Sequence, residues 1–192
     1  MTLFQSALSS PRHNHIRFTL ADYNHSVLRL ATIPNLLLSW AKVTKREALP
    51  SADEDDLEVT PALLEQFASD LQQRGIYIDA ISGAWSEQFI HLLGNGTPPT
   101  TAYTLVLASE TIYSPSTLRS FTTLLIALLS RNGAGNNNNS KALIAAKKVY
   151  FGVGGGVDEF LEILAEMSGA VREVAAEEGQ GVGRVVLEVA RK

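Results

Sequence analysis

Polar residues follow three apolar stretches of this chain, and their types are suited to binding a small molecule. They are Asp22, Gly83, Ala84, Trp85, Ser109, Glu110 and Tyr113. A carboxylate accepts both hydroxyl protons of a ribose, an aromatic ring covers an adenine face, and a glycine lets a base approach the backbone. The spacing therefore indicates a nucleoside-sized crevice. An exposed turn aspartate, a core tryptophan and a helix-capping glutamate would explain the same residues.

The elements that position these residues are predicted to be buried strands. Strand-forming runs occur at 16–21, 76–81, 103–109, 143–149 and 184–189. Helical patterns separate most of them, and this alternation predicts an α/β fold, a doubly wound and largely parallel sheet with helices on both faces. In such a sheet ligands bind outside the carboxyl ends of the strands, where the polar residues stand.

Apolar periodicity and capping residues place the helices. Thr60 before Pro61 predicts the start of a helix that stops at Gly75. The helical period between 26 and 40 is interrupted at Pro34, which predicts a break near Ile33. Further helices are predicted after Pro115 and over 158–177, the latter with Val171 and Val174 on its apolar face.

Three segments are predicted to be loops. Residues 42–59 form an acidic loop, and 133–140 form an asparagine-rich loop. The glycines of 152–156 resemble a phosphate cradle, but Asp158 and Glu159 in the next helical turn would repel an anion. We expect these glycines to let the backbone pass close to the active site and shape a target pocket.

Composition limits the function classes. The chain has 192 residues, 45% hydrophobic and 19% charged, which predicts one globular domain over 1–192. A net charge of -4 disfavours nucleic acid as the main ligand, and the absence of cysteine removes thiolate chemistry. No window is apolar enough to span a membrane, and we expect an intracellular protein. The histidines lack the spacing of a metal site, so no metal is predicted.

Five short motifs together resemble a known family. They are the segments 22–24, 33–36, 82–87, 109–113 and 150–156, the last being Tyr-Phe-Gly-Val-Gly-Gly-Gly. In this order they are similar to the histidine protein methyltransferase family, from about Ile16 to the final strand. This family belongs to the seven-strand, class I group that uses S-adenosylmethionine. The resemblance implies a Rossmann-like sheet of that type.

The resemblance also implies roles for individual residues. Asp22, with Tyr23 and Asn24, would bind the ribose hydroxyls, and Trp85, with Gly83, Ala84 and Ser109, would border the adenosyl group. Glu110 and Tyr113 match the group's acidic-x-x-Tyr pattern beside the methyl-transfer centre. Tyr150, Phe151, Gly152 and Gly154 would line the substrate pocket. Ala84 replaces a usual acidic residue, which removes one adenine contact.

A second departure concerns the start of the sheet. The family's first strand and its glycine-rich turn would lie upstream of Met1, so the resemblance implies an N-terminally truncated domain. That strand is central in the group's sheet, between the strands that end at Asp22 and Ser109. Its loss would leave two strand edges unpaired.

The resemblance implies a function and its alternatives. The function is S-adenosylmethionine-dependent methylation of a histidine in a ribosomal protein. The resemblance implies that the protein is a monomer in the cytoplasm and nucleus. It requires neither a membrane nor a nucleic acid. A lysine methyltransferase of the same group and a catalytically inactive fragment are the alternatives.

Overall fold

The computed structural model describes residues 1–10, 15–44, 57–94, 103–130, 140–152, 154–177 and 182–191. The chain divides into two compact units, Met1–Gly83 and Ala84–Lys192. Residues 45–56 of the predicted acidic loop and 133–139 of the predicted asparagine-rich loop lie outside the described residues.

The first unit is a pair of parallel strands with helices. Its elements are α1 (Thr2–Ser9), β1 (Ile16–Asp22), α2 (His25–Val27), a π-helical segment (Leu28–Thr32), α3 (Ile33–Thr44), α4 (Pro61–Gln73) and β2 (Ile76–Ser82). β1 pairs with β2 in parallel, from Ile16 opposite Ile76 to Asp22 opposite Ser82. Both strands therefore end at the same level, as the sequence predicted for 16–21 and 76–81.

Aromatic and aliphatic side chains of α1, α3, α4 and β2 form the core of the first unit. It contains Phe4, Leu8, Leu36, Leu37, Trp40, Ala41, Leu63, Leu71 and Ile76. Asp70 on α4 accepts hydrogen bonds from Trp40 Nε1 and Arg74 Nε, each at 2.8 Å. Burial alone would raise the pKa of Asp70, but these two bonds and the Arg74 charge outweigh it and hold the pKa below 3.8. This carboxylate therefore ties α4 to α3.

The predicted helix boundaries of this unit have clear physical causes. Thr60 caps α4, because its hydroxyl accepts the amide of Leu63 at 3.2 Å. The break expected near Ile33 is the π-helical segment, where the amide of Ile33 donates to the carbonyl of Leu28. Pro34 is the next residue and has no amide hydrogen to donate. A wider helical turn just before it is compatible with this missing donor.

The second unit contains a four-stranded sheet in the order β3-β4-β6-β5. Its elements are α5 (Glu87–Gly94), β3 (Leu105–Ser109), α6 (Pro115–Ser130), β4 (Lys141–Lys147), α7 (Val157–Glu166), β5 (Gly169–Glu177) and β6 (Arg184–Arg191). β3 and β4 are parallel, whereas β6 runs antiparallel to both β4 and β5. One face of the sheet packs on α6 and α7 around the fully buried Leu125, Ile144 and Phe160.

Two sequence predictions about this sheet were wrong. The helix predicted over 158–177 ends at Glu166, and Gly169–Glu177 is a strand. Ser168, with a φ of 58°, and Gly169 turn the chain out of the helix. Residues 170–177 have helix-favouring alanines and glutamates, but pairing with β6 overrides that local preference. The sheet is consequently mixed instead of largely parallel.

β1 and β3 occupy edges in the described part of the chain. β1 has β2 as its partner, and β3 has β4 as its partner, in separate sheets. Among the described residues, no helix is long and apolar enough to cross a membrane.

Candidate functional site

The first group of predicted site residues lies at the carboxyl end of β1 and β2. The amide of Gly83 donates to the carbonyl of Asp22 at 3.1 Å, so the two strand ends are joined directly. The Asp22 carboxylate accepts the amide of Asn24 at 2.7 Å, and the Asn24 side chain caps α2 by accepting the amide of Ser26 at 2.9 Å. Tyr23 is 71% exposed. Asp22, Tyr23, Asn24 and Gly83 are thus brought together.

The Asp22 side chain has the acceptor capacity that a ribose would need. The Asn24 amide uses Oδ1, and no described residue donates to Oδ2. An ionised carboxylate has about four lone-pair sites, so it could accept a hydroxyl while it holds the turn. Gly83 adjoins it with a φ of 141°, a conformation that side-chain-bearing residues rarely adopt. Asp22 therefore keeps acceptor capacity beyond the turn that it holds.

Trp85 lies in the second unit and packs with its core. Its half-buried ring meets Phe89 at 5.1 Å and Phe121 at 6.1 Å between centroids, both in edge-to-face geometry. This is the arrangement of a core tryptophan. Its chain neighbour Ala84 is exposed and carries no polar group. A part for these two residues in adenine recognition therefore depends on the family resemblance alone.

The second group of site residues begins at the end of β3. Ser109 is exposed and lies opposite Ala145 of β4. Glu110 is exposed and has a φ of 54°, which is rare for a residue with a side chain. Its amide donates to the carbonyl of Ala145 at 3.1 Å, so the strained backbone is held by the sheet. Such outliers cluster at functional sites.

Tyr150 connects this strand end to the segment that follows β4. Its hydroxyl accepts the amide of Lys147 at 3.1 Å. Burial raises the pKa of Tyr150, and the Glu110 charge raises it further against the opposing Lys147 amide. The phenol therefore stays neutral at physiological pH and keeps a proton to donate. Its ring lies 6.1 Å from that of Tyr113.

The glycine segment packs closely against the turn between β3 and α6. A Cβ on Gly155 would lie 2.4 Å from the carbonyl oxygen of Tyr113, so the close backbone passage takes place at this residue. Gly152 and Gly154 have φ values of 78° and 77°, which side chains disfavour. Phe151 is 79% exposed between Tyr150 and Gly152. The segment therefore presents an exposed aromatic side chain next to Tyr150.

Three contributors to this second group were not predicted. Lys147 donates its amide to Tyr150 and places its ammonium 5.7 Å from the ring centroid. Gly155 stood in the glycine run without being singled out. The Thr111 hydroxyl is shielded from water and has no hydrogen-bond partner among the described residues. In the sequence, only the three-residue spacing between Lys147 and Tyr150 could have indicated the contact of Lys147.

The chain is similar to curated proteins of one name. It is 38% identical to histidine protein methyltransferase 1 of Saccharomyces cerevisiae over 82% of this chain and 44% of that protein. The protein of the same name from Schizosaccharomyces pombe is 37% identical over 86% of this chain and 46% of that protein. A homolog from Rattus norvegicus is 30% identical over 89% and 42%. This chain thus spans a little under half the length of these relatives.

Two further comparisons add no detail. No protein-family model matches the sequence. A solved structure described as a pericyclic reaction enzyme has a TM-score of 0.40 at 12% identity, over 98% of this chain and 47% of the other, and supports no assignment.

The relatives are named as protein methyltransferases, which are transferases. The resemblance that the motifs predicted is confirmed: over most of its length, this chain is a sequence relative of the histidine protein methyltransferases.

Proposed function

We propose that this chain takes part in S-adenosylmethionine-dependent methylation of a protein histidine, and that the acceptor is a ribosomal protein in the cytoplasm or nucleus. The observation that carries the proposal is Glu110, an exposed carboxylate on a strained backbone at the end of β3. The names of the relatives give the acceptor class.

The chemistry asks little of the protein beyond alignment. When bound, S-adenosylmethionine supplies an activated methyl carbon that one imidazole nitrogen can attack. Histidine has a reference pKa of about 6.5, so near neutral pH its ring already offers a lone pair. The chain has to orient that nitrogen and hold the far N–H of the same ring.

Glu110 is suited to hold the far N–H. Its carboxylate can accept hydrogen bonds at both oxygens, so it can receive the N–H of an imidazole. The same negative charge lies next to the positive charge that develops on the ring as the methyl group transfers, and it can take the ring proton afterwards. In this proposal Asp22 holds the ribose hydroxyls, and Tyr113 and Phe151 border the acceptor.

The test replaces Glu110 with glutamine and uses Glu173→Gln as the matched control. Glu173 is an exposed glutamate of β5 in the same unit. Glu110→Gln keeps the size of the side chain and removes its charge, and we expect turnover to fall by about 10-fold or more. Binding of S-adenosylhomocysteine should be unchanged, because Glu110 is assigned to the acceptor. The assay follows labelled methyl groups onto purified ribosomal proteins, and mass spectrometry locates the modified residue.

Three results would count against the proposal. Equal turnover of Glu110→Gln and Glu173→Gln would remove the assigned role. Methyl groups found on lysine would indicate the other acceptor class. Failure of the chain to bind S-adenosylhomocysteine in a calorimetric titration would support an inactive fragment.

A further inference from the structure

We infer that Phe151 is a specificity-determining residue: its exposed ring binds an apolar side chain of the acceptor protein, close in sequence to the histidine that is methylated. This inference rests on the proposed function and adds the chemistry of the acceptor segment to it. The family resemblance implied only that Phe151 lines the substrate pocket, and the inference assigns a particular contact to it.

The first step is the exposure of Phe151. Its side chain is 79% exposed, the highest value among the large apolar residues that the structure describes. Val149 is 52% exposed, whereas Tyr150 between them is 9% exposed. This alternation is typical of extended chain, in which every second side chain lies on the same side. A single exposed apolar residue is common on a protein surface, but Val149 and Phe151 together form one apolar surface that a partner can cover.

The second step is that the backbone carrying Phe151 is held in place. Val149 pairs with Gly156 in an isolated antiparallel bridge. The Tyr150 hydroxyl accepts the amide of Lys147 at 3.1 Å, and the Lys147 ammonium lies 5.7 Å from the centroid of the Tyr150 ring. A ring on a restrained backbone loses little freedom when it binds, so more of its contact energy contributes to affinity.

The third step is the location of this surface beside the proposed site. The ring of Tyr150 lies 6.1 Å from that of Tyr113, which the resemblance assigns to the methyl-transfer centre. Gly155 packs on the backbone of Tyr113, where a Cβ would lie 2.4 Å from the carbonyl oxygen. The apolar surface is therefore continuous with the place where the acceptor histidine must lie. The relatives are named as protein methyltransferases, so the occupant that we assign to the surface is the acceptor protein.

The fourth step is the chemistry of the contact. The side chains of Val149 and Phe151 have no hydrogen-bonding group, so they recognise an apolar side chain such as leucine. A phosphate backbone is disfavoured, because Asp158 and Glu159 lie in the first turn of α7. The carboxylate of Glu159 lies 3.3 Å from the position of a Cβ on Gly156, the bridge partner of Val149. We therefore expect an apolar residue within a few positions of the methylated histidine.

A kinetic test compares Phe151→Ala with Tyr103→Ala. Tyr103 is 53% exposed and precedes β3, at the end of the strand opposite to the site. With purified ribosomal proteins as acceptor, we expect Phe151→Ala to raise KM about 10-fold, as for the loss of an interface anchor. The values of kcat, S-adenosylhomocysteine affinity and melting temperature should match the control, because the exposed ring packs little in the folded chain. An unchanged KM would overturn the inference, and so would a matching loss of S-adenosylhomocysteine binding.

A second test identifies the acceptor chemistry with two synthetic peptides. Each has a single histidine, flanked by leucine in one peptide and by glutamine in the other. The unaltered chain and Tyr103→Ala should both have a KM about 10-fold lower for the leucine peptide. Phe151→Ala should treat the two peptides alike. A leucine preference that survives in Phe151→Ala, or none in the unaltered chain, would contradict the assigned contact.

A third test reads the contact without turnover. Phe151→Trp places a fluorescent ring at the surface, and Tyr103→Trp is the control, with Trp40 and Trp85 common to both chains. Addition of the leucine peptide should shift the emission of Phe151→Trp to shorter wavelength and protect it from acrylamide quenching, because the ring leaves water. The emission of Tyr103→Trp should not change. Equal emission with and without peptide in Phe151→Trp would overturn the inference.

The inference and the proposed function fail in different ways. If the unaltered chain transfers no methyl group, the proposed function is wrong, and the tryptophan emission alone decides whether Phe151 binds the leucine peptide. If methyl transfer occurs while neither KM nor emission depends on Phe151, the assigned contact is wrong and the proposed function stands.

Discussion

Replacing Gly155 with alanine tests how closely the glycine segment is held to the turn after β3. An ideal Cβ at this position would lie 2.4 Å from the Tyr113 carbonyl oxygen, 2.6 Å from its carbon and 3.0 Å from the Ser114 amide nitrogen. Ordinary contact begins at 3.4 Å, so the backbone must separate by 3.4 less 2.4, which is about 1 Å. All three obstacles are backbone atoms, which cannot rotate away.

The expected cost follows from overpacking. Forced insertion of a methyl group costs about 1–3 kcal/mol, and in a chain of this size each kcal/mol lowers the melting temperature by about 2–4 °C. Gly155→Ala should therefore melt roughly 2–12 °C below the unaltered chain. Displacement of Tyr113 by about 1 Å should also lower turnover by up to about 100-fold.

Gly183→Ala is the matched control for this prediction. A Cβ on Gly183 would meet the flexible Lys148 side chain at 3.2 Å and the Glu177 carbonyl at 3.6 Å, so its cost should stay within about 0.5 kcal/mol. Melting is followed by circular dichroism, and the ring environment of Tyr113 by carbon-13 resonance. If Gly155→Ala had the same melting temperature as Gly183→Ala and an unchanged Tyr113 signal, the close approach of Gly155 to the Tyr113 carbonyl would not exist in solution.

Two further predictions concern the first unit. Asp70→Asn should lower the free energy of unfolding by about 1–3 kcal/mol at neutral pH, because the Trp40 and Arg74 hydrogen bonds lose a charged acceptor. Folding lowers the pKa of Asp70, so the ionised carboxylate stabilises the folded chain above the ordinary pKa of 3.8. This stabilisation is lost as the pH falls through the lowered pKa. Urea denaturation at decreasing pH should therefore show the free energies of unfolding of the unaltered chain and Asp70→Asn converging. Asp22→Asn should weaken S-adenosylhomocysteine binding about 10-fold in calorimetry, since a hydroxyl loses a charged acceptor. The control is Asp79→Asn on β2, which removes the ion-pair partner of Arg17 and should bind S-adenosylhomocysteine as the unaltered chain does. Equal affinities of Asp22→Asn and Asp79→Asn would argue against the ribose role of Asp22.

Local signals in the sequence predicted the elements of the first unit well. Thr60 with Pro61 sets the start of α4, and the apolar alternation at Ile16 and Ile76 sets both strands, because capping and strand patterning act over a few residues. β5 was missed for the opposite reason. Its alanines and glutamates favour a helix by themselves, and only pairing with β6, which comes later in the chain, makes them a strand.

The candidate site divides in the same way. Asp22 and Glu110 could be found because they end strands, and a strand end is visible in the sequence. The contact between the rings of Tyr113 and Tyr150 joins residues that are far apart in sequence, and no spacing in the chain encodes it. Gly155 is similar, since its neighbour Tyr113 lies far away in sequence and only the folded chain shows which glycine of the run has no room for a side chain.

In the part of the chain that the structure describes, β3 is an edge strand of its sheet, and this position affects how the chain behaves in concentrated solution. Residues 105–108 are Leu-Val-Leu-Ala, uncharged and without proline, and Leu107 is 56% exposed. An apolar edge strand with no charged residue to deter it is a template for intermolecular pairing and fibril growth. A lysine at Leu107 would act as a gatekeeper against that association, since an edge charge is the device by which natural sheets remain soluble.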